Sequence, residues 1–158
     1  MAMKITIPWE LKYKYARGML TTLFKGFMYV IRERHGAAEA LEIHQLVNKM
    51  DNRIQNMIRT LKDVFKIEEN DIKALRSVWE IYLDLTGIIS TTLEQSEKLW
   101  RHKITTCAWV TEPKDLSDWC YNYCSLMNKF INPKTTLERP KAMCTGDSEC
   151  EFVVKIEE

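Results

Sequence analysis

Lys98-Leu99-Trp100-Arg101-His102-Lys103-Ile104-Thr105-Thr106-Cys107-Ala108-Trp109 is the stretch whose reading decides the fold. Up to Gly87 the apolar residues recur every three or four positions, the period of one helix face. Beyond Gly87 the pattern changes. This stretch and Ile88-Ile89-Ser90-Thr91-Thr92-Leu93-Glu94 before it are rich in β-branched and aromatic residues, which suit a pleated, half-buried surface. Two antiparallel strands follow, with Glu112-Pro113 breaking the second.

Working back towards the N-terminus, Leu11, Tyr15, Met19, Leu23, Phe27 and Ile31 mark an amphipathic helix from Pro8 to about His35, with Gly36 as its stop. Gly18 and Gly26 inside it cost about 1 kcal/mol each relative to alanine, unless they mark a kink or the close approach of another element. A second helix covers residues 37–66 with an interruption near Asp51-Asn52, and a third covers 70–85. Asn70 is the expected N-cap of the third, although Lys73 stands where a capping-box glutamate belongs. Gly87 ends it.

Working forward, residues 115–130 read as a helix that carries Leu116, Cys120, Cys124, Met127 and Ile131 on one face. Residues 134–143 and 150–156 supply two more strands, joined by the turn Cys144-Thr145-Gly146-Asp147-Ser148-Glu149. In the last strand Cys150, Phe152, Val154 and Ile156 point one way, towards the core. The expected fold class is α+β in one domain: a helical half over residues 1–87, then a small antiparallel sheet of about four strands with one inserted helix over 88–158.

The chain has 158 residues, enough for one domain with a real core and no need of disulfides. Apolar residues at 46% and charged residues at 28% exclude disorder and fibrous repeats. The 23 Lys and Arg against 22 Asp and Glu lack the basic excess of a dedicated nucleic-acid binder. Met1 to Pro8 turns polar too soon for a signal peptide, and no segment approaches about 18 uninterrupted apolar residues, so no membrane span and a cytoplasmic location are expected.

An odd count of five cysteines, all in the last third, weighs against a disulfide framework and towards metal, redox chemistry or plain burial. Cys120 and Cys124 are one helical turn apart, and a tight turn brings Cys144 and Cys150 together, with Gly146 free to take a positive φ and Asp147 as turn former. Four thiolates suit zinc or iron in a tetrahedral shell. Burial alone also accounts for cysteines in an apolar stripe. Cys107 is a fifth thiol beside the same cavity or a nucleophile, the latter needing a lowered pKa; His102 and Lys103 are its neighbours in sequence. His35, His44 and His102 are isolated and read as ordinary histidines, while Asp147, Glu149 and Glu151 sit beside the turn, where a carboxylate is able to ligate a metal or act as a base, and otherwise read as solvated turn residues. Phosphate loops, serine-nucleophile elbows and His-Glu-x-x-His pairs do not occur.

The segments 105–109, Asp118-Trp119-Cys120-Tyr121-Asn122-Tyr123-Cys124, Ile131-Asn132-Pro133 and Cys144-Thr145-Gly146-Asp147-Ser148-Glu149-Cys150-Glu151-Phe152 resemble the end of the 4-vinyl reductase-like small-molecule-binding domains. They also resemble the neighbouring L-2-amino-thiazoline-4-carboxylic acid hydrolases. The resemblance implies the α+β ligand-binding fold shared with vesicle-tethering subunits and haem-based gas sensors, and a homodimer formed through the N-terminal helices. In the phenol-responsive sensory domains of this group a structural zinc is held by cysteines of the C-terminal motif and a preceding glutamate. Here that implies Cys144 and Cys150, with Cys120 or Cys124 upstream; Lys141 stands near the glutamate's place. A second helical cysteine in place of that carboxylate gives the set Cys120, Cys124, Cys144 and Cys150.

Three readings result. The first is a small-molecule-binding module clamped by a structural zinc on those four thiols. The second is a hydrolase of a cyclic amidine or amide with Cys107 as nucleophile, and the third is an iron–sulfur or redox protein.

Overall fold

The computed structural model describes residues 8–110 and 114–157; the polar amino-terminal stretch through Ile7 and the Glu112-Pro113 strand break lie outside them. The described elements run α1 (Trp9–His35), α2 (Ala37–Lys49), α3 (Arg53–Phe65), α4 (Ile72–Thr86), β1 (Ile89–Gln95), β2 (Leu99–Thr106), α5 (Asp118–Ile131), β3 (Thr135–Lys141) and β4 (Cys150–Ile156). The strands form one antiparallel sheet in the order β1-β2-β4-β3. The fold is α+β, with the helical N-terminal half packed on the sheet.

Local chemistry sets the boundaries. α1 passes through Gly18 and Gly26 without a break, and among the described residues neither glycine has another part of the chain against it. The expected interruption after α2 is a 3₁₀ turn at Met50–Asn52, where Asn52 takes a left-handed conformation with φ of 51°. The cap of α4 differs from expectation. Asp71, and not Asn70, accepts from the Ala74 N–H at 2.8 Å. Asn70 is occupied elsewhere, its side chain receiving Lys62 Nζ at 2.7 Å and its carbonyl receiving Asn132 Nδ2 at 2.8 Å. Gly87 closes α4 at φ 66°, the left-handed conformation a non-glycine residue resists.

Strand β4 is central, paired with β2 on one side and β3 on the other. Its register sets His102 beside Phe152, Trp100 beside Val154 and Ile104 beside Cys150. Pro140 falls where the β3 register shifts between Glu138 and Lys141, on an edge strand that tolerates a missing donor. The core draws Ile58, Trp79, Leu83, Met127, Trp100 and Phe152 from α3, α4, α5 and the sheet. Both halves of the chain therefore share one core. Strand β2 stops at Thr106, short of the expected Trp109, because Trp109 leaves the sheet to pack between Phe24 of α1 and Trp119 of α5.

Candidate functional site

The five cysteines lie in one region, where β2 ends, β4 begins and α5 packs on the sheet, near enough to feel one another electrostatically. Register explains the meeting, since Ile104, three residues before Cys107, pairs with Cys150. On α5 the one-turn spacing sets the sulfurs of Cys120 and Cys124 4.0 Å apart. Beneath them, a 3₁₀ turn at Met143–Thr145 ends on Gly146 at φ 111°, and the Asp147 carboxylate accepts from the Ala142 N–H at 2.8 Å. The glycine and aspartate thus take the turn roles expected of them. This turn seats Cys144 and lets the Met143 N–H donate to Cys150 Sγ at 3.2 Å.

Electrostatics separates the thiols. Burial pushes Cys107 up to about 12, against the Trp109 N–H that donates to its sulfur at 3.4 Å; Cys120, Cys150 and Cys144 are near enough to raise it further. Such a thiol is protonated at neutral pH and is a poor nucleophile. Its sequence neighbour His102 is turned into the sheet's aromatic layer, and among the described residues no cation contributes to Cys107. Cys120 behaves differently. The hydrogen bond with Cys124, and then the Arg139 guanidinium, hold its thiol below the ordinary value although it is packed among neighbours. Burial pushes Cys124 well up, and likewise raises Cys150.

A zinc–thiolate tetrahedron with bonds of about 2.3 Å spaces its sulfurs by roughly 3.8 Å. Cys120 and Cys124 match one edge of such a shell. Among the described residues, however, no three His, Cys, Asp or Glu side chains are grouped so as to hold a metal ion. The donor chemistry fits and the four-sulfur shell is not assembled. Lys141, near the place of the glutamate, is held by Glu149 at 3.0 Å and Glu151 at 3.7 Å.

Next to the thiols lies an aromatic layer between α4, α5 and the sheet. His102 is its centre, fully buried, with its ring parallel to Trp100 at 4.0 Å and to Phe152 at 5.5 Å, and Trp79 edge-on at 5.6 Å. Neither ring nitrogen has a hydrogen-bond partner among the described residues. Burial lowers the imidazole to about 4, so it is neutral at physiological pH. On the far side of Trp79, Asn128 accepts from the indole N–H at 2.6 Å and leaves its own buried amide nitrogen unpaired.

Solved structures resemble this arrangement at the level of fold. Trafficking protein particle complex subunit 3 from Naegleria fowleri, in a structure with palmitic acid covalently bound, superposes with a TM-score of 0.67 over 92% of this chain and 97% of that one, at 13% identity. The phenol-responsive sensory domain of the transcription activator PoxR with phenol gives a TM-score of 0.57 over 89% and 74%, at 11% identity. The chain shares their fold. No family model matches it, and no curated protein matches it significantly. The likeness therefore extends to a trafficking protein particle complex subunit and a sensory domain, while membership of the 4-vinyl reductase or hydrolase families is not shown.

Two residues of this region carried little signal in the sequence. His102 reads there as an ordinary strand histidine; only its alternation with Trp100 and Ile104 on one face pointed inward. Arg139 reads as one charge among several on an edge strand. In the structure it donates to the Ser117 carbonyl at 2.9 Å and to Asp118 at 3.0 Å, lies over the Tyr121 ring and faces Cys120.

Proposed function

We propose that this chain is a small-molecule-binding module without catalysis of its own, which holds an organic ligand in the aromatic layer with His102 as the polar contact. The observation that carries this reading is the fully buried imidazole with two unpaired nitrogens. A neutral imidazole offers one donor and one acceptor, and each left buried and unpaired costs on the order of 1–3 kcal/mol. A hydroxyl or carbonyl arriving between aromatic rings removes that cost, and a few convergent polar groups in an apolar site are what orient small ligands. The two similar structures lend support, since one contains phenol and the other palmitic acid. Because both nitrogens point along the ring plane, the ligand's polar atom approaches the edge of the imidazole while the stacked Trp100 and Phe152 stay in place, and entry requires the groups packed at that edge to move.

The test is calorimetry and tryptophan fluorescence with phenol and palmitate as probes, on the wild type and His102→Phe. Phenol is expected to quench the indole emission, with at least tenfold weaker binding in the variant. Neither probe binding the wild type, or equal binding by the variant, removes His102 from the reading.

The convergence of the thiols favours a second, compatible reading: a structural zinc, or alternatively iron, on Cys120, Cys124, Cys144 and Cys150 in a reducing cytoplasm. Saturated by four sulfurs, such a metal has no open position for water and serves only to clamp the C-terminal turn to α5. The Met143 N–H on Cys150 is the kind of donor that supports a ligating sulfur. Closing the shell needs the turn to move towards α5. Elemental analysis of wild type against Cys144→Ala/Cys150→Ala checks it: about one metal per chain, lost in the variant, supports the clamp, and metal-free wild type rejects it.

A further inference from the structure

Two tryptophans stand apart from the layer around His102, in a smaller core between α1, α2 and the start of α5. The helices line it at one-turn spacing, with Phe24 and Met28 from α1 and Ala40 and His44 from α2. Trp119 comes from the first turn of α5, and Trp109 from the connection between β2 and α5. Phe24, His44, Trp109 and Trp119 meet in five ring pairs, with centroids 4.9 to 5.7 Å apart.

An indole has one donor to place and accepts nothing. In the larger core that donor is answered: Trp79 donates to Asn128 at 2.6 Å and Trp100 to Thr92 at 3.1 Å. The smaller core answers neither of its own. Trp119 is 6% exposed, and the buried Nε1 atoms of Trp109 and Trp119 have no acceptor among the described residues. Buried donors are normally paired. The two indoles touch at 5.7 Å, which puts both donors within the span of one small molecule.

Charge decides which acceptor suits them. Burial lowers His44 to about 4 and keeps it neutral, with the Asn48 amide nitrogen 3.0 Å from its ring. The guanidiniums of adjoining elements are already paired, Arg32 with Asp115 at 2.9 Å and Arg139 with Asp118 at 3.0 Å. A carboxylate brought among these rings would be a buried charge without a counter-ion, which is costly. A carbonyl oxygen is neutral and has two lone pairs, enough for both donors. Trp109, half-buried and outside any helix or strand, is the wall that yields to entry.

We propose that this cluster is a second binding site, separate from the His102 layer, for a small neutral carbonyl compound with an apolar body, whose oxygen accepts from the indole N–H groups of Trp109 and Trp119.

Indole N–H resonances of the isotope-labelled whole chain, assigned by nuclear Overhauser contacts, test this with acetophenone as probe. Acetophenone is expected to move the Trp109 and Trp119 resonances downfield and to leave those of Trp79 and Trp100, already bonded, nearly in place. α-Methylstyrene, which has a methylene group where the ketone has oxygen, and benzoate, which adds the charge, are each expected to bind at least about tenfold more weakly. Trp119→Phe, which keeps a ring and removes the donor, is expected to weaken acetophenone by a similar factor. Unmoved Trp109 and Trp119 resonances overturn the proposal, and shifts confined to Trp79 and Trp100 overturn it by placing the ketone beside His102. Binding of α-methylstyrene or benzoate as tight as that of acetophenone also overturns it, and those comparisons are made on the wild type, whether or not the variant folds.

Discussion

Strand β4 and helix α1 are both rich in apolar residues and dispose of them in opposite ways. β4 buries five of its seven residues, with strands on both edges and helices over one face. α1 buries two of 27. The difference is one of neighbours: β4 lies between two strands of its own chain, while the outer side of α1 is exposed. Substitutions in the two regions should therefore differ in size and, at the extreme, in sign.

The largest effect belongs to Trp79. It is buried at the meeting of α4, α5 and the sheet and donates to Asn128. Trp79→Ala should cost about 3–5 kcal/mol of folding stability, whereas Leu23→Ala on the outside of α1 should cost less than about 0.5 kcal/mol in the isolated protomer. Urea denaturation of both variants at low protein concentration checks the pair. Equal losses would mean that α1 is as much a part of the core as the sheet.

His102 gives the aromatic layer a pH dependence. Burial lowers its pKa to about 4 from 6.5, so between those values the unfolded chain takes up a proton that the folded chain refuses. Stability is then complete above pH 6.5 and declines as the pH falls towards 4, by roughly 3 kcal/mol for this group. His44, also lowered to about 4 by burial, acts with the same sign. Unfolding free energies across pH 7.5 to 4 should show a shallower slope in His102→Phe than in wild type; an unchanged slope places the acid sensitivity elsewhere.

A smaller effect separates two adjacent residues that a sequence cannot tell apart. Asn70 and Asp71 are both good caps, and only the structure gives Asn70 to Lys62 and Asn132 and leaves Asp71 to the helix. Asp71→Ala should cost about 1 kcal/mol by loss of the cap; Asn70→Ala, measured by the same melts, loses its side-chain contact with Lys62 and should cost less. The same contrast governs the whole molecule. The helical period before Gly87, the alternation after it and the glycine turn at Gly146 are local, so they were legible. The end of β2 was not, because the alternation of Thr105, Cys107 and Trp109 continues while the tertiary partners of Trp109 lie on α1 and α5. Likewise the spacing of Cys120 and Cys124 announced their contact, but the isolation of His102 depends on what fails to reach it from three other elements.

The smallest effect reverses sign. In a core, adding a methyl group to a glycine normally creates a clash, but Gly18 has open space about it. Gly18→Ala should raise protomer stability by about 0.5–1 kcal/mol, because alanine loses less backbone freedom and is the better helix former. If a second α1 lies over this face, the same methyl group holds the two backbones apart. Denaturation at nanomolar concentration, where protomers stand alone, should therefore show stabilisation, and at high micromolar concentration the gain should shrink or invert through linkage to dimer formation. A concentration-independent gain would leave the outer side of α1 without a second copy on it, and a loss at every concentration would mean that α1 is packed against its own chain on both sides.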